Sequence, residues 1–167
     1  GGGRCNTPGR WGGDARVGAG GGGAVRGAGA LSRSFPWDVT QDVVFTLDDL
    51  EVLPYTYLAS VVRDAIRFYV AFHRAADDLD GCYLHDPVTL IGSLLRPDLV
   101  TESVDARLAC DTGNDPRLAG SLYRSDAVER PEVSVATAID PDGMRAELLE
   151  RLARAVATPT DTKHEGG

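Results

Sequence analysis

Apolar residues recur at three- and four-residue steps between Leu58 and Ala76. Leu58, Val62, Ala65, Tyr69, Phe72 and Ala76 share one helical stripe, and Val61 and Phe68 widen it. The spacing predicts a long helix over 55–79, punctuated by Pro54 in front and stopped by Gly81 behind. Upstream, PWDVTQDVVFTL (36–47) is rich in β-branched residues and predicts a short strand, followed by a turn or short helix at 48–53. Downstream, LHDPVTLIGSLLRP (84–97) predicts a second helix, with Asp86 as N-cap, Pro87 at the first helical position and Pro97 just past the end.

The period then changes to two. Residues 102–110 place Val104, Ala106, Leu108 and Cys110 on one face of a strand. DTGNDP (111–116) reads as a turn. LAGSLYRS (118–125) and PEVSVATAI (131–139) predict two more strands, the second with Val133, Val135, Thr137 and Ile139 on one side. Asp140-Pro141 repeats the cap-plus-proline signature. It opens a last helix whose Met144, Leu148, Leu149, Leu152 and Val156 face the core. The order is strand, long helix, helix, three strands, helix: a mixed α/β pattern without strict alternation.

Residues 1–34 differ in kind. The first thirty residues hold thirteen of the twenty glycines and show neither apolar period. Ordering glycine costs much backbone entropy, and little apolar surface here offsets it, so the segment is expected to be disordered. A G-x-G-x-x-G spelling occurs at Gly18, Gly20 and Gly23, with Asp38 twenty residues after the first. A dinucleotide loop needs a strand before it and a helix after it, and neither GDARV nor AVRGAGA supplies one. The chain divides into this segment, a folded unit over 35–157, and a polar tail over 158–167 expected to be loose.

Charge and composition narrow the partners. The chain has 167 residues, 43% hydrophobic, with a net charge of −8 and no basic block, which argues against nucleic acid or an anionic membrane as partner. The most apolar stretch, 58–72, is broken by Arg63, Asp64 and Arg67, so it does not span a bilayer. Cys5, Cys82 and Cys110 are odd in number and far apart, without a C-x-x-C. They suggest neither a disulfide framework nor a zinc site, and fit a reducing cytoplasm.

The candidate chemistry centres on His85-Asp86. Asp86 before Pro87 is a common capping arrangement, and the same device recurs at Asp140. His85 stands where a loop meets a helix, an edge that tends to line clefts, and a histidine there can give up a proton near neutral pH. Asp86 could also hold a hard cation, but calcium takes roughly six to eight oxygens, so other ligands must come from elsewhere. Asp77, Asp78 and Asp80 form an acidic run, either a solvated helix end or something held against an unfavourable helix dipole. DTGNDP lacks the alternation and distal Glu of a calcium loop. His73 is either a boundary residue or looks into a pocket. His164 lies in the tail and is taken as inert. No G-x-S-x-G occurs.

From Phe35 onward the order of motifs resembles the C-terminal part of the inosine/uridine-preferring nucleoside hydrolases. PWDVT (36–40) looks like the family's D-V-T segment, FTLDDL follows, then the helix with RFYVAF (67–72), then LHDPVTL (84–90), and VSVATAID (133–140) before the closing helix. The resemblance implies a Rossmann-like fold with a mixed sheet. It also implies cleavage of the N-glycosidic bond of ribonucleosides by water, with calcium held by aspartates, through an oxocarbenium-like state. Carried onto this sequence, His85 is the candidate general acid and Asp86 a calcium ligand. The base pocket would draw on the long helix and the loop before H-D-P, making His73, Asp77 and Tyr83 candidates for substrate binding. Asn6, with Thr7 and Pro8, resembles the start of the family's ribose-holding segment.

The sequence also departs from the family. The aspartate-rich D-x-D-x-G-x-D-D motif, source of the base and most calcium ligands, is absent. Trp11 and Gly13 stand where the ribose-holding Glu and second Asn belong, and Gly/Ala/Arg replaces the family's helix up to Ser34. A shifted reading frame between Pro8 and Phe35 would produce that pattern. Two expectations follow: a fragment of a calcium-dependent nucleoside hydrolase, inactive alone, or a non-catalytic remnant or interaction module. Base preference stays open, and a homo-oligomer is compatible with either.

Overall fold

A computed structural model describes residues 10–11, 33–111 and 121–157. The expected disorder of 1–34, the tail after 158, the turn over 112–116, and Asn6 lie wholly or largely outside them.

A five-stranded mixed sheet carries the fold. Its strands are β1 (Arg10–Trp11), β2 (Arg33–Ser34), β5 (Val100–Cys110), β6 (Leu122–Arg124) and β7 (Glu132–Ile139), in the order β1-β6-β5-β7-β2. Among the described residues, β2 pairs with β7 in parallel, with Ser34 opposite Val135, and the other pairs are antiparallel. A separate two-stranded ribbon joins β3 (Val44–Phe45) to β4 (Cys82–Tyr83). The helices are α1 (Trp37–Thr40), α2 (Tyr57–Asp77), α3 (His85–Leu90) and α4 (Pro141–Ala157).

β5 and β7 answer the alternation read in the sequence. Ala106 and Leu108 are buried against Leu122, Val133 and Val135, with Val104 and Cys110 packed on the edge. Thr137 breaks the pattern: it is exposed, while Ala136 is buried. The register slips there, since Glu102 faces Ala138 and Ser103 faces Ala136. The extra residue on β7 swings outward and reverses the faces beyond it.

The segment expected to be a strand at 36–47 is mostly not one. Trp37–Thr40 turns as a helix and only Val44–Phe45 is extended. Pro36 explains the start: its ring fixes φ at −65°, suited to entering a helical turn, and it supplies the carbonyl that Val39 and Thr40 donate to. A short 3₁₀ helix at Asp48–Val52 matches the expected turn, and Thr46 donates backbone N–H and hydroxyl to Asp49.

The long helix α2 starts at a true cap. Thr56 accepts from the Ala59 amide at 3.1 Å, and its hydroxyl donates to the Val156 carbonyl at 2.7 Å, pinning the start of α2 to the end of α4. The helix buries Ala59, Ile66, Val70 and His73, not the stripe read from periodicity. Leu58, Tyr69 and Phe72 stand exposed, and Phe68 is 72% exposed. Nor does Gly81 stop the helix. Asp78 does, in the left-handed conformation at φ 54°, where its short polar side chain is tolerated. Gly81 serves a close approach: a Cβ there would stand 2.7 Å from the Phe45 carbonyl oxygen and 2.6 Å from Val44 Cγ1.

α3 begins two residues earlier than expected. Leu84 occupies the cap position and His85 opens the helix, so Asp86 lies inside the first turn and is not the N-cap. One π turn, Ile91–Leu95, continues the helix to Arg96. Gly92 in that turn lets Phe35 and Met144 pack against bare backbone. Asp140 caps α4 as expected, accepting from the Gly143 amide at 3.0 Å. Met144, Leu148 and Val156 enter the main core with Phe45, Leu53, Val70 and Ile91, and Leu149 and Leu152 flank it.

Candidate functional site

The β3–β4 ribbon sets the site. Pairing of Val44 with Tyr83 carries the chain directly into Leu84 and His85. From the other side, α1 presents Trp37 and Thr40. The Trp37 and His85 rings stack, with centroids 5.2 Å apart and planes within 8°. His85 Nδ1 lies 2.7 Å from the Thr40 hydroxyl, which is buried and has the Pro36 and Trp37 carbonyls within 3.4 Å. Tyr83 contacts His85 from a third direction, at 5.6 Å between centroids.

These groups border a cavity of about 350 Å³. Trp37, Tyr83, Leu84, His85, Asp86 and Pro87 line it from the ribbon, α1 and α3, and Ala65, Ile66 and Tyr69 from α2. Such a wall, mostly apolar with a few convergent polar groups, is the usual build of a small-molecule site.

His85 is half-buried. Its pKa lies below the ordinary histidine value, first because burial disfavours the cation and second because His73 lies near; the Asp86 carboxylate opposes both. Asp86 itself is exposed at the cavity rim.

The other candidates sit differently. Tyr83 is on the cavity wall. His73 is buried behind it, edge-on to the Tyr83 ring at 5.3 Å, with Nδ1 2.9 Å from the Tyr69 carbonyl oxygen. Asp77 closes α2, exposed, and does not line the cavity. The sequence reading missed Trp37, Thr40 and Tyr69 as site residues. Trp37 and Thr40 lay within the quoted PWDVT motif, but nothing in it showed that they meet His85.

The donor set decides what the site can hold. Among the described residues, no three His, Cys, Asp or Glu side chains converge as a metal site. Asp86 alone offers two oxygens, and calcium takes roughly six to eight. The described residues therefore do not make a calcium site by themselves. Among the same residues, no helix is long and apolar enough to cross a membrane.

The mixed sheet and its helices make an α/β fold, and the His-Asp pair stands at the mouth of an aromatic-walled cavity. A plant nucleoside hydrolase, PpNRh1, superposes with a TM-score of 0.68 at 25% identity, over 79% of this chain and 44% of that one. A purine-preferring ribonucleoside hydrolase from Gardnerella vaginalis gives the same TM-score at 22% identity, over 80% and 43%. The chain belongs to the inosine-uridine preferring nucleoside hydrolase family, whose model matches residues 24–146. A probable uridine nucleosidase 2 of Arabidopsis thaliana is 27% identical over 124 residues, covering 69% of this chain and 38% of that protein. The chain thus spans less than half the length of these relatives.

Proposed function

We propose that the described residues form the leaving-group side of a nucleoside N-glycosidase site, in which water replaces the base on C1′ of a ribonucleoside. The observation that carries this reading is His85 itself: it opens α3 two residues after the ribbon, stacks on Trp37, and lines the cavity in a chain of this family. The C1′–O bond to water forms as the C1′–N bond breaks with its electrons going to the base. Protonated His85 gives the base its proton, and the proton shed by the water goes to a base outside the described residues, with His85 reprotonated from solvent. The flat apolar surfaces of Trp37, Tyr83 and Tyr69 suit a planar heterocycle. His73 acts from behind Tyr83, and Asp77 contributes charge near the end of α2.

On the ribose side, Asp86 is placed as one carboxylate of a calcium site completed by residues outside those described, with Asn6 as a ribose contact. The chain is then part of a larger catalytic unit, with 35–157 as a partial hydrolase domain. A non-catalytic module is the second reading, favoured by Asp86 being the one carboxylate among the described residues that line the cavity.

The test is release of free base from inosine and uridine by the full chain in millimolar calcium, with His85→Ala as control. Release that depends on His85 supports the first reading. Calcium-independent melting together with no release supports the second, because a cation bound only to the folded state raises the melting temperature by mass action.

A further inference from the structure

We propose that Thr40 is a positioning residue that holds His85 in its Nδ1–H form and reserves Nε2 for the ligand; its catalytic consequence rests on the hydrolase reading above. The Thr40 side chain is 1% exposed and touches three polar partners: His85 Nδ1 at 2.7 Å, and the Pro36 and Trp37 carbonyl oxygens at 3.4 Å each. A hydroxyl has one proton and two lone pairs. Two of the three partners are carbonyls, which only accept. Threonine in a helical turn commonly gives its proton to the carbonyl three or four residues back, here Trp37 and Pro36. The lone pair left over faces Nδ1, so Nδ1 carries the hydrogen.

Nε2 is then the bare nitrogen of the neutral ring. The arrangement suits the charged ring equally, because Nδ1–H donates to Thr40 in both forms. A proton can therefore arrive at Nε2 and leave from it with neither side chain turning. Trp37 fixes the plane of the imidazole by stacking. Stacking alone does not distinguish the ring from its copy flipped about Cβ–Cγ. Thr40 does, by holding one nitrogen and not the other.

The test is the ring-nitrogen NMR spectrum of the full chain at about pH 8, where histidine is neutral. Signals of His85 are assigned by their loss in His85→Gln. The expected pattern is a protonated Nδ1 and an unprotonated Nε2. Thr40→Val, which keeps the shape and removes the hydroxyl, should shift the pattern toward Nε2–H, and Thr40→Ser should restore it. A wild-type ring protonated at Nε2, or a pattern that Thr40→Val leaves unchanged, overturns the proposal. The wild-type spectrum alone decides the tautomer if the valine variant does not fold. The expected spectrum in a chain that releases no base would count against the hydrolase reading and leave the role of Thr40 standing.

Discussion

The Trp37 indole lies flat on the His85 imidazole, with centroids 5.2 Å apart and planes 8° from parallel. The stack shields one face of the ring from water, and burial is the leading cause of the lowered His85 pKa. Trp37→Ala should let water in and move that pKa upward toward the ordinary 6.5, while Trp37→Phe should keep it low. A titration of the His85 ring proton by NMR reads both. An unchanged midpoint in Trp37→Ala would mean that other groups dominate the desolvation.

The same shift links stability to pH. The unfolded chain takes up a proton at position 85 as pH falls through about 6.5, and the folded chain resists it to lower pH. Stability from this group is present above 6.5 and is lost as pH falls through the folded value. In His85→Gln, the decline of the unfolding free energy below pH 6.5 should be shallower than in the wild type. Identical slopes would remove His85 from the acid limb.

Cys82 governs the opposite limb. The thiol is fully buried, and burial pushes its pKa from 9.0 up to about 11, with the Asp49 charge adding to the effect. Between those values the unfolded thiol ionises and the folded one does not. Stability is therefore present below 9 and is lost as pH rises to 11, by roughly 2 to 3 kcal/mol. Cys82→Ala should flatten that decline. Native protein at about pH 8 should also leave Cys82 unmodified by a thiol reagent, since buried, protonated thiols are inert.

The register of α2 is open to a paired test. Ile66 is 7% exposed and Phe68 is 72% exposed, although both are large and apolar. Ile66→Ala should cost about 2 to 5 kcal/mol in urea denaturation, whereas Phe68→Ser should change stability by no more than about 0.5 kcal/mol. Reversed magnitudes would place the other face of the helix in the core.

That pair of residues also shows where sequence reading stops. The existence and span of α2 were legible because the apolar period is sustained. Its buried face was not, because apolar residues cover two faces: Leu58, Val61, Ala65, Phe68 and Phe72 on one, Ala59, Ile66 and Val70 on the other. Periodicity alone does not say which face meets the core. Thr137 was misplaced because a bulge is set by the partner strand, not by local pattern. In the candidate site, His85, Asp86 and Tyr83, singled out from H-D-P and its flank, line one cavity. The Thr40–His85 contact spans 45 positions and depends on the β3–β4 ribbon bringing the two together.

Gly81 tests that ribbon. A methyl group there would collide with the Phe45 carbonyl and Val44, so Gly81→Ala should cost about 1 to 3 kcal/mol. It should also disturb the Tyr83 and His85 ring resonances together, since Tyr83 lies in β4 and His85 follows it by two residues. A stable variant with unmoved resonances would show that the close approach is not needed to place the site.

The most direct measurement of the central claim is the rate of base release from inosine and uridine by the full chain, wild type against His85→Ala. If His85 protonates the leaving base, removing it should slow release by about 10²- to 10⁴-fold. Release at the wild-type rate in His85→Ala would contradict the account.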